Sequence, residues 1–518
     1  MIHTTSYVFS HLSPDGATLY ITPHTPIQQR DPTDLDPIQV SQIAYFVRDQ
    51  DESEPTSLTC FYIDRDSELS YTMFKFVLDP ESPPLPSQLD HLVVASGHAR
   101  SKRVELVLNP KSGHGYATAL LDDVVKPLLA PFVQDLRVWE TLAENDGERI
   151  GREIIQARGG QDTTVIIFGG DGTVHEMLNG AVLPKESKPS RLDLVLIPCG
   201  TANALYYHLF PPEAPEYPVS SPHSPFYSLL AFLRGQAQPL PLPLALNTIR
   251  HAAAEGAQRE PVPPVLTSVV TSGALHACLL HDAEALRSSH PGLERFKIAA
   301  QQNVKNWWNG TLSLRHGAKR YDSTSQTFVE PELGNHLAQN DNGEIQIGGP
   351  FAYWVSSLVS RFEPSFVVAP LRSPLHALAP SQSRDDDATI DLILIRPLRH
   401  RPTDKAFASS SGSDEQGDIR RGFADRVWQV TGGMYDGGKH VDMVYPAGEG
   451  SDDGSIKQGS TEIVEVWRTK GFEWTPTVSS DFKSNLVCLD GALHDLERGG
   501  SLVTRVLASQ ETGVRVCA

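Results

Sequence analysis

Four short apolar runs, at 104–108, 136–141, 163–168 and 192–197, are each followed by a stretch whose apolar positions recur with helical spacing. The clearest stretch carries Val174, Met177, Leu178, Ala181 and Val182 at i, i+3, i+4, i+7 and i+8, one continuous stripe on a helix. Such alternation predicts parallel βαβ units. Open parallel sheets bind ligands at the carboxyl ends of their strands, so chemistry is expected just after each of the four runs.

On either side the pattern differs. Residues 58–63 and 71–77 alternate apolar and polar positions and read as strands, with proline-rich loops at 80–86. Six prolines fall within 211–225 and three more within 239–243, marking a linker or surface excursion. Beyond it come short β-like runs at 265–271, 366–369, 390–395, 462–467 and 485–489, with one helical stretch near 283–306. The expected organisation is a small β-rich region over 1–100, an α/β domain over 101–245 and a β-rich domain over 246–518. Asp385-Asp386-Asp387 and the segment 409–418 read as polar insertions between strands.

Charge narrows the functions. The 518 residues carry 44 basic and 63 acidic side chains, a formal net charge of −19. Such a surface repels nucleic-acid backbones and confines bilayer contact to a local patch, so no nucleic-acid partner is expected. Residues 1–100 hold 14 acids against 5 bases, whereas 101–245 hold 16 against 12, so acidity concentrates away from the α/β region. Cys60, Cys199, Cys278, Cys488 and Cys517 are never closer than 29 positions, which excludes CxxC zinc pairs and redox motifs and fits a reducing compartment. No apolar run approaches about 18 residues, and the first residues show no basic segment followed by an apolar one; neither a membrane span nor secretion is expected.

Three of the four strand–helix junctions carry small-residue loops: Asn109-Pro110-Lys111-Ser112-Gly113-His114-Gly115, Gly169-Gly170-Asp171-Gly172-Thr173 and Pro198-Cys199-Gly200-Thr201-Ala202-Asn203. Glycine lets backbone N–H groups approach a ligand, and a following helix N-terminus adds partial positive charge, so each loop outlines an anion cradle. None is GxxxxGK[ST] or GxGxxG, so a polyphosphate needs another arrangement. One glycine-rich βα turn is more often structural than functional, but three on successive strands reverse that weighting. Asp171 stands between glycines where phosphates would sit. Thr173 and Glu176 form a TxxE capping box ahead of the apolar stripe, which assigns Glu176 to capping and weakens a capping role for Asp171. A carboxylate beside phosphate needs an intervening divalent cation, or accepts a proton from an attacking hydroxyl. Both lead to phosphoryl transfer.

NPKSG at 109–113, GGDGTVHEMLNG at 169–180 and PCGTANAL at 198–205, in this order and spacing, resemble the catalytic domain shared by diacylglycerol, sphingosine and ceramide kinases. The resemblance is strong over roughly 101–210. It implies an α/β domain similar to that of phosphofructokinases and NAD kinases, a following β-sandwich, and ATP with Mg2+ as cofactors. By motif match Asn109, Pro110 and Lys111 would contact nucleotide, with Thr141 nearby. Gly169, Gly170, Asp171, Gly172 and Thr173 would line the phosphates, and Gly200, Thr201, Ala202 and Asn203 would complete the pocket. Asp171 would be the general base on the lipid hydroxyl; the match assigns no metal ligands.

Further along, Asp282-Ala283-Glu284-Ala285-Leu286-Arg287 and Gly292-Leu293-Glu294-Arg295 resemble a sphingosine-kinase segment. That match would have Arg287 and Arg295 neutralise phosphates and Asp282 hold a cationic amine headgroup. Cys488-Leu489-Asp490-Gly491-Ala492 resembles the family's VDGE strand, keeping Asp490 and Gly491 near the nucleotide while Ala492 replaces the Glu.

The expectation is an ATP-dependent lipid kinase acting on a primary hydroxyl, first of all that of a sphingoid base, because Asp282 could pair with an amine that ceramide and diacylglycerol lack. Diacylglycerol or ceramide phosphorylation is the alternative. An NAD kinase-like enzyme and a catalytically silent lipid or nucleotide binder stay open, the second suggested by Ala492. A cytoplasmic location with peripheral membrane contact goes with this reading. Trp307-Trp308, after Arg295, Lys297 and Lys305, would suit a bilayer interface, while Leu293, Phe296, Ala300 and Val304 form a stripe that favours burying the two tryptophans.

Overall fold

The computed structural model describes residues 6–23, 36–48, 58–67, 70–80, 82–95, 104–112, 115–133, 135–159, 161–183, 191–235, 238–252, 261–290, 292, 294–331, 337–373, 388–451 and 461–518. Gly113, His114, Leu293, the Asp385-Asp386-Asp387 run and the first five residues lie outside them. The chain divides into two compact units, Met1–Thr201 with Phe210–Pro241 and Gly513–Ala518, and Ala202–Leu209 with Leu242–Thr512.

In the first unit the apolar runs form strands β1 (Val104–Leu108), β2 (Leu136–Glu140), β3 (Thr163–Gly169) and β4 (Leu192–Pro198). All pair in parallel, in the order β4-β3-β1-β2, and Val514–Val516 and Leu240–Pro241 extend the β4 side. Every residue of β1, β3 and β4 is buried, as expected of a parallel sheet covered on both faces. Helices α1 (Asp146–Arg158) and α2 (Asp171–Val182) precede and follow β3, and α3 (Tyr227–Arg234) packs on β4.

The first hundred residues do not stand apart from this layer. Their strands build a seven-stranded sheet, ordered Asp36–Gln39, Thr18–Pro23, Ser6–Leu12, Ser70–Leu78, Leu58–Ser67, Ile43–Arg48, Val93–Ala95. Its Tyr45, Phe61 and Ile63 share one core with Leu106, Phe132, Ile166 and Phe226 of the α/β layer. Polar groups fix the junction: Tyr45 Oη donates to the Leu128 carbonyl at 2.6 Å, Arg234 Nε to the Ala44 carbonyl at 2.9 Å, and His223 Nε2 lies 3.0 Å from the Gln42 carbonyl.

The second unit holds an antiparallel sheet of seven strands and one of eight. Trp354 of the larger sheet meets Trp474 and Phe472 of the smaller, with ring centroids 5.2 and 5.9 Å apart. Glycines make room for these rings, since a Cβ on Gly273 would stand 2.4 Å from Trp354 and one on Gly310 2.3 Å from Trp474. Glu465, fully buried, receives Arg396 at 2.6 and 2.8 Å. Burial opposes its ionisation, but Arg396 and Arg399 outweigh that and hold the carboxyl below its usual range.

The segment 409–418, expected as an insertion between strands, instead joins the helices Arg401–Ser409 and Ser413–Tyr435. The longer helix buries Phe423, Val427, Val430 and Met434, an i, i+4, i+7, i+11 stripe, and carries Asp414 and Glu415 in its first turn, where the helix dipole favours acids. Trp307 and Trp308 are both buried, Trp307 between Phe407 and Phe423, so they are not a bilayer-facing pair. The helix before them buries Arg295, Ala299 and Asn303; of the expected stripe Val304, just past the helix end, is buried, while Phe296 and Ala300 are only half-buried. Among the described residues no helix is long and apolar enough to cross a membrane.

Three histidines predict an acid sensitivity. Desolvation pushes His223, His276 and His440 from 6.5 down to about 4. The folded chain keeps them neutral while the unfolded chain protonates them below 6.5, so stability falls as pH drops from 6.5 towards 4. For the well-buried His223 and His440 the loss is on the order of 3 kcal/mol each. Glu176 and Glu363, raised by burial, act in the opposite sense just above 4.5, and the depressed Glu465 loses its contribution only below 4.5. Melting temperature measured from pH 7.5 to 4 should drop mostly between 6.5 and 4.5, and His440→Gln should flatten that slope; a flat wild-type profile would contradict the assignment.

Candidate active site

The site begins with strand order. The chain leaves β1 towards β2 and leaves β3 in the other direction towards β4, so the order reverses between β1 and β3, the place where open α/β sheets hold ligands. Register makes the strand ends level: Leu108 pairs with Glu140 and with Phe168, and Gly169 with Pro198. The first two loops flank the reversal directly, and the third lies one strand away.

Hydrogen bonds fasten the loops to one another. Asn109 donates its backbone N–H to the Phe168 carbonyl at 2.9 Å and its side-chain Nδ2 to Thr173 Oγ1 at 3.1 Å. Its Oδ1 accepts from the Lys111 N–H at 3.1 Å, so one asparagine shapes the first loop and clamps it to the second. Cys199 N–H donates to the Gly169 carbonyl at 3.0 Å, Tyr116 Oη to the Pro198 carbonyl at 3.0 Å, and Thr141 N–H to the Leu108 carbonyl at 2.9 Å. Burial pushes the Cys199 thiol up to about 12, so it stays protonated and unreactive.

Asp171 is the first residue of α2, half-buried, with Gly170 extended before it as the cap. The first turn of α2 therefore faces the strand-order reversal with its N–H ends, beside a carboxylate. Gly172 is exposed, and a Cβ there would meet nothing within 4 Å. Lys111 is exposed on the first loop. Open backbone, a lysine and a helix N-terminus suit a nucleotide's phosphates. Among the described residues no three His, Cys, Asp or Glu cluster as a metal site, and Asp171 is the only carboxylate of the three loops.

The capping box does not form. Thr173 is buried, accepts from Asn109, and packs where a Gly169 Cβ would come within 2.5 Å. Glu176 turns away from its own helix and accepts the Gly147 N–H at 3.0 Å in the first turn of α1. The reason is a close helix crossing: a Cβ on Gly147, Gly151 or Gly180 would come within 2.8, 2.3 and 1.9 Å of atoms of the opposite helix. The GxxxG spacing of Gly147 and Gly151 was the available signal for it.

Asn203 adopts φ 54° and its carbonyl starts the helix Ala204–Leu209. Thr201 belongs to the first unit, Ala202 and Asn203 to the second. In the second unit, Asp282 lies on α4 (Ala274–Ala285) and accepts from Lys483 Nζ at 2.6 Å and Asn303 Nδ2 at 2.7 Å, with His281 Nδ1 at 2.9 Å. Burial works against its charge, but these partners prevail and lower its pKa. Arg287 is exposed and paired with Glu284 at 2.6 Å. Arg295 is buried beside Phe296; desolvation, then the charge of Arg287, lower its pKa.

Asp490 and Gly491, with φ 50° and 94°, form the two-residue turn that pairs Leu489 with Ala492. Asp-Gly is the usual hairpin signal for this geometry. The Asp490 carboxylate accepts the N–H groups of Ser268, Val269 and Val270 at 2.6, 2.9 and 2.7 Å. Its oxygens thus hold a neighbouring backbone turn.

Fold and loops place the first unit among α/β domains that hold ligands at a strand-order reversal. Residues 103–231 match the family model for the diacylglycerol kinase catalytic domain. Sphingosine kinase B of Dictyostelium discoideum is 25% identical over 175 residues, 33% of this chain and 21% of that protein. Human Sphingosine kinase 1 is 32% identical over 108 residues, 20% of this chain and 27% of that protein. The matches thus span under a third of either relative's length. Among solved structures, that of a diacylglycerol kinase from Bacillus anthracis is 16% identical, with TM-score 0.40, covering 79% of this chain and 95% of that one.

Proposed function

We propose that this chain is an ATP-dependent lipid kinase that phosphorylates a primary hydroxyl, with Asp171 at the head of α2 as the group that carries the chemistry. Bound ATP and Mg2+ would supply the phosphoryl group and neutralise its charge. Asp171 would accept the proton of the lipid hydroxyl and orient its oxygen. The first turn of α2 and Lys111 would bind phosphate oxygens, and the Asn109–Thr173 bond would keep the two loops in register. Because phosphoryl transfer has a loose transition state, this positioning contributes more than basicity. The membrane-facing side is proposed to be peripheral.

A sphingoid base is the first substrate reading, supported by the two sphingosine kinases among the relatives. Exposed Val478 and Phe482 lie close in sequence to Lys483, the partner of Asp282, and would meet an acyl or sphingoid chain. The Lys483–Asp282 pair favours a second reading, an uncharged headgroup such as that of diacylglycerol or ceramide, because an amine would have to displace Lys483. Labelled-phosphate transfer to sphingosine, phytosphingosine, ceramide and diacylglycerol separates the two. With an amine substrate, Asp282→Asn should lower transfer roughly tenfold, as loss of a charge-assisted bond implies. With a neutral one it should leave the rate unchanged. Transfer to none of the four would refute the lipid-kinase reading.

A further inference from the structure

The second unit contains a cavity of about 440 Å³, a size that accommodates small ligands, and the kinase reading makes no use of it. Its walls include Arg315, His316, Glu344, Lys470, Arg505 and Glu511. Strand register gathers them. In the seven-stranded sheet β5 (Gly310–Leu314), β6 (Ile345–Gly348), β7 (Gly471–Pro476) and β8 (Ser501–Leu507) run in the order β8-β7-β5-β6. Arg505 lies opposite Gly471, and Leu314 opposite both Phe472 and Ile345, so Arg315, Lys470 and Glu344 fall at one edge beside Arg505. Backbone bonds fix the edge: Arg315 N–H donates to the Gly471 carbonyl and Val506 N–H to the Lys470 carbonyl, both at 3.0 Å. Gly471 leaves the space beside Arg315 open, since a Cβ there would come within 3.1 Å of Arg315 Nε.

The charge balance of the cavity runs against that of the chain. Of its two carboxylates, Glu511 is ion-paired with Arg505 Nη1 at 3.0 and 3.2 Å and accepts the Ala508 N–H at 2.8 Å, while Glu344 accepts from the uncharged Asn340 amide at 2.8 Å. Among the described residues Arg315 and Lys470 pair with no carboxylate, and both are exposed. Among the described lining residues three cations face two carboxylates, and this excess of positive charge, with a histidine beside it, attracts an oxyanion; guanidinium forks suit phosphate oxygens. We infer that this cavity binds a phosphate-bearing anion, either a soluble phosphate compound or the phosphate of a lipid headgroup. The inference does not depend on the proposed kinase activity.

Lys470 reports on the site directly. The full chain would be acetylated with an amine-reactive ester, with and without pyrophosphate, and with phosphatidylcholine vesicles lacking or containing phosphatidic acid, and Lys470 modification read by mass spectrometry. Protection of at least fivefold by pyrophosphate indicates a soluble ligand, and by phosphatidic acid vesicles alone a headgroup; either supports the site. Arg315→Gln, an exposed change that leaves the fold intact by melting temperature, should raise the probe concentration needed for half-maximal protection roughly tenfold. Unchanged Lys470 labelling under every probe, or equal protection in Arg315→Gln, would overturn the inference.

Discussion

Asp171→Asn should reduce phosphoryl transfer by about three orders of magnitude, within the roughly 10²–10⁴-fold range of general acid–base catalysis. ATP affinity and melting temperature should barely change. The expectation follows from where the carboxylate sits. Asp171 begins α2 beside the strand-order reversal, and α2 is held through Val174, Met177, Leu178 and Ala181, all buried and remote from the carboxylate. Asparagine keeps the size and one hydrogen-bonding oxygen but cannot take up the hydroxyl proton. The assay is transfer of labelled γ-phosphate to the best lipid of the panel, with nucleotide affinity measured separately by calorimetry. Near-wild-type turnover would sink the assignment. Lost turnover with lost nucleotide binding would instead make Asp171 a binding residue and move the base elsewhere.

What could be read from the chain beforehand was whatever is local. The apolar runs of β1, β3 and β4 are buried over every residue, and that density has no other use in a sequence of this polarity. The loops were legible because three glycine-rich turns on successive strands outweigh the structural reading that each would have alone. Illegible parts depend on partners distant in sequence. Glu176 read as a cap for its own helix because TxxE is a local pattern, yet its acceptor role is spent on Gly147, 29 positions earlier. Arg234 and His223 gave no hint that they would seat the sheet of the first hundred residues, since their partners are main-chain carbonyls near position 43. Asp490-Gly491 carries two signals at once, the motif match and the local Asp-Gly hairpin signal, and the structure forms the hairpin. The helix Ser413–Tyr435 is hidden although its apolar stripe has the right period, because its first turns fall within the polar stretch 409–418 that reads as an insertion.

Gly180→Leu should be the most damaging substitution in the α/β layer. Even a methyl group at 180 would stand 1.9 Å from the Glu148 carbonyl oxygen, a backbone atom that cannot rotate away. The helices α1 and α2 would have to part, which also strains Gly151 against Met177 and the Glu176–Gly147 hydrogen bond. Overpacking of this kind costs about 3 kcal/mol. In a unit of this size that lowers the melting temperature by roughly 10 °C. Activity should fall further than stability does, because α2 carries Asp171 at its head and any shift of the helix moves that carboxylate against the loops clamped by Asn109. Gly172→Ala is the matched control in the same helix: its Cβ meets nothing within 4 Å, so folding should be unaffected, and any loss must come from the space it takes at the phosphate-facing turn. If Gly180→Leu melts like the wild type, the crossing is not what positions α2, and the glycine of the NG pair would need a role at the ligand itself.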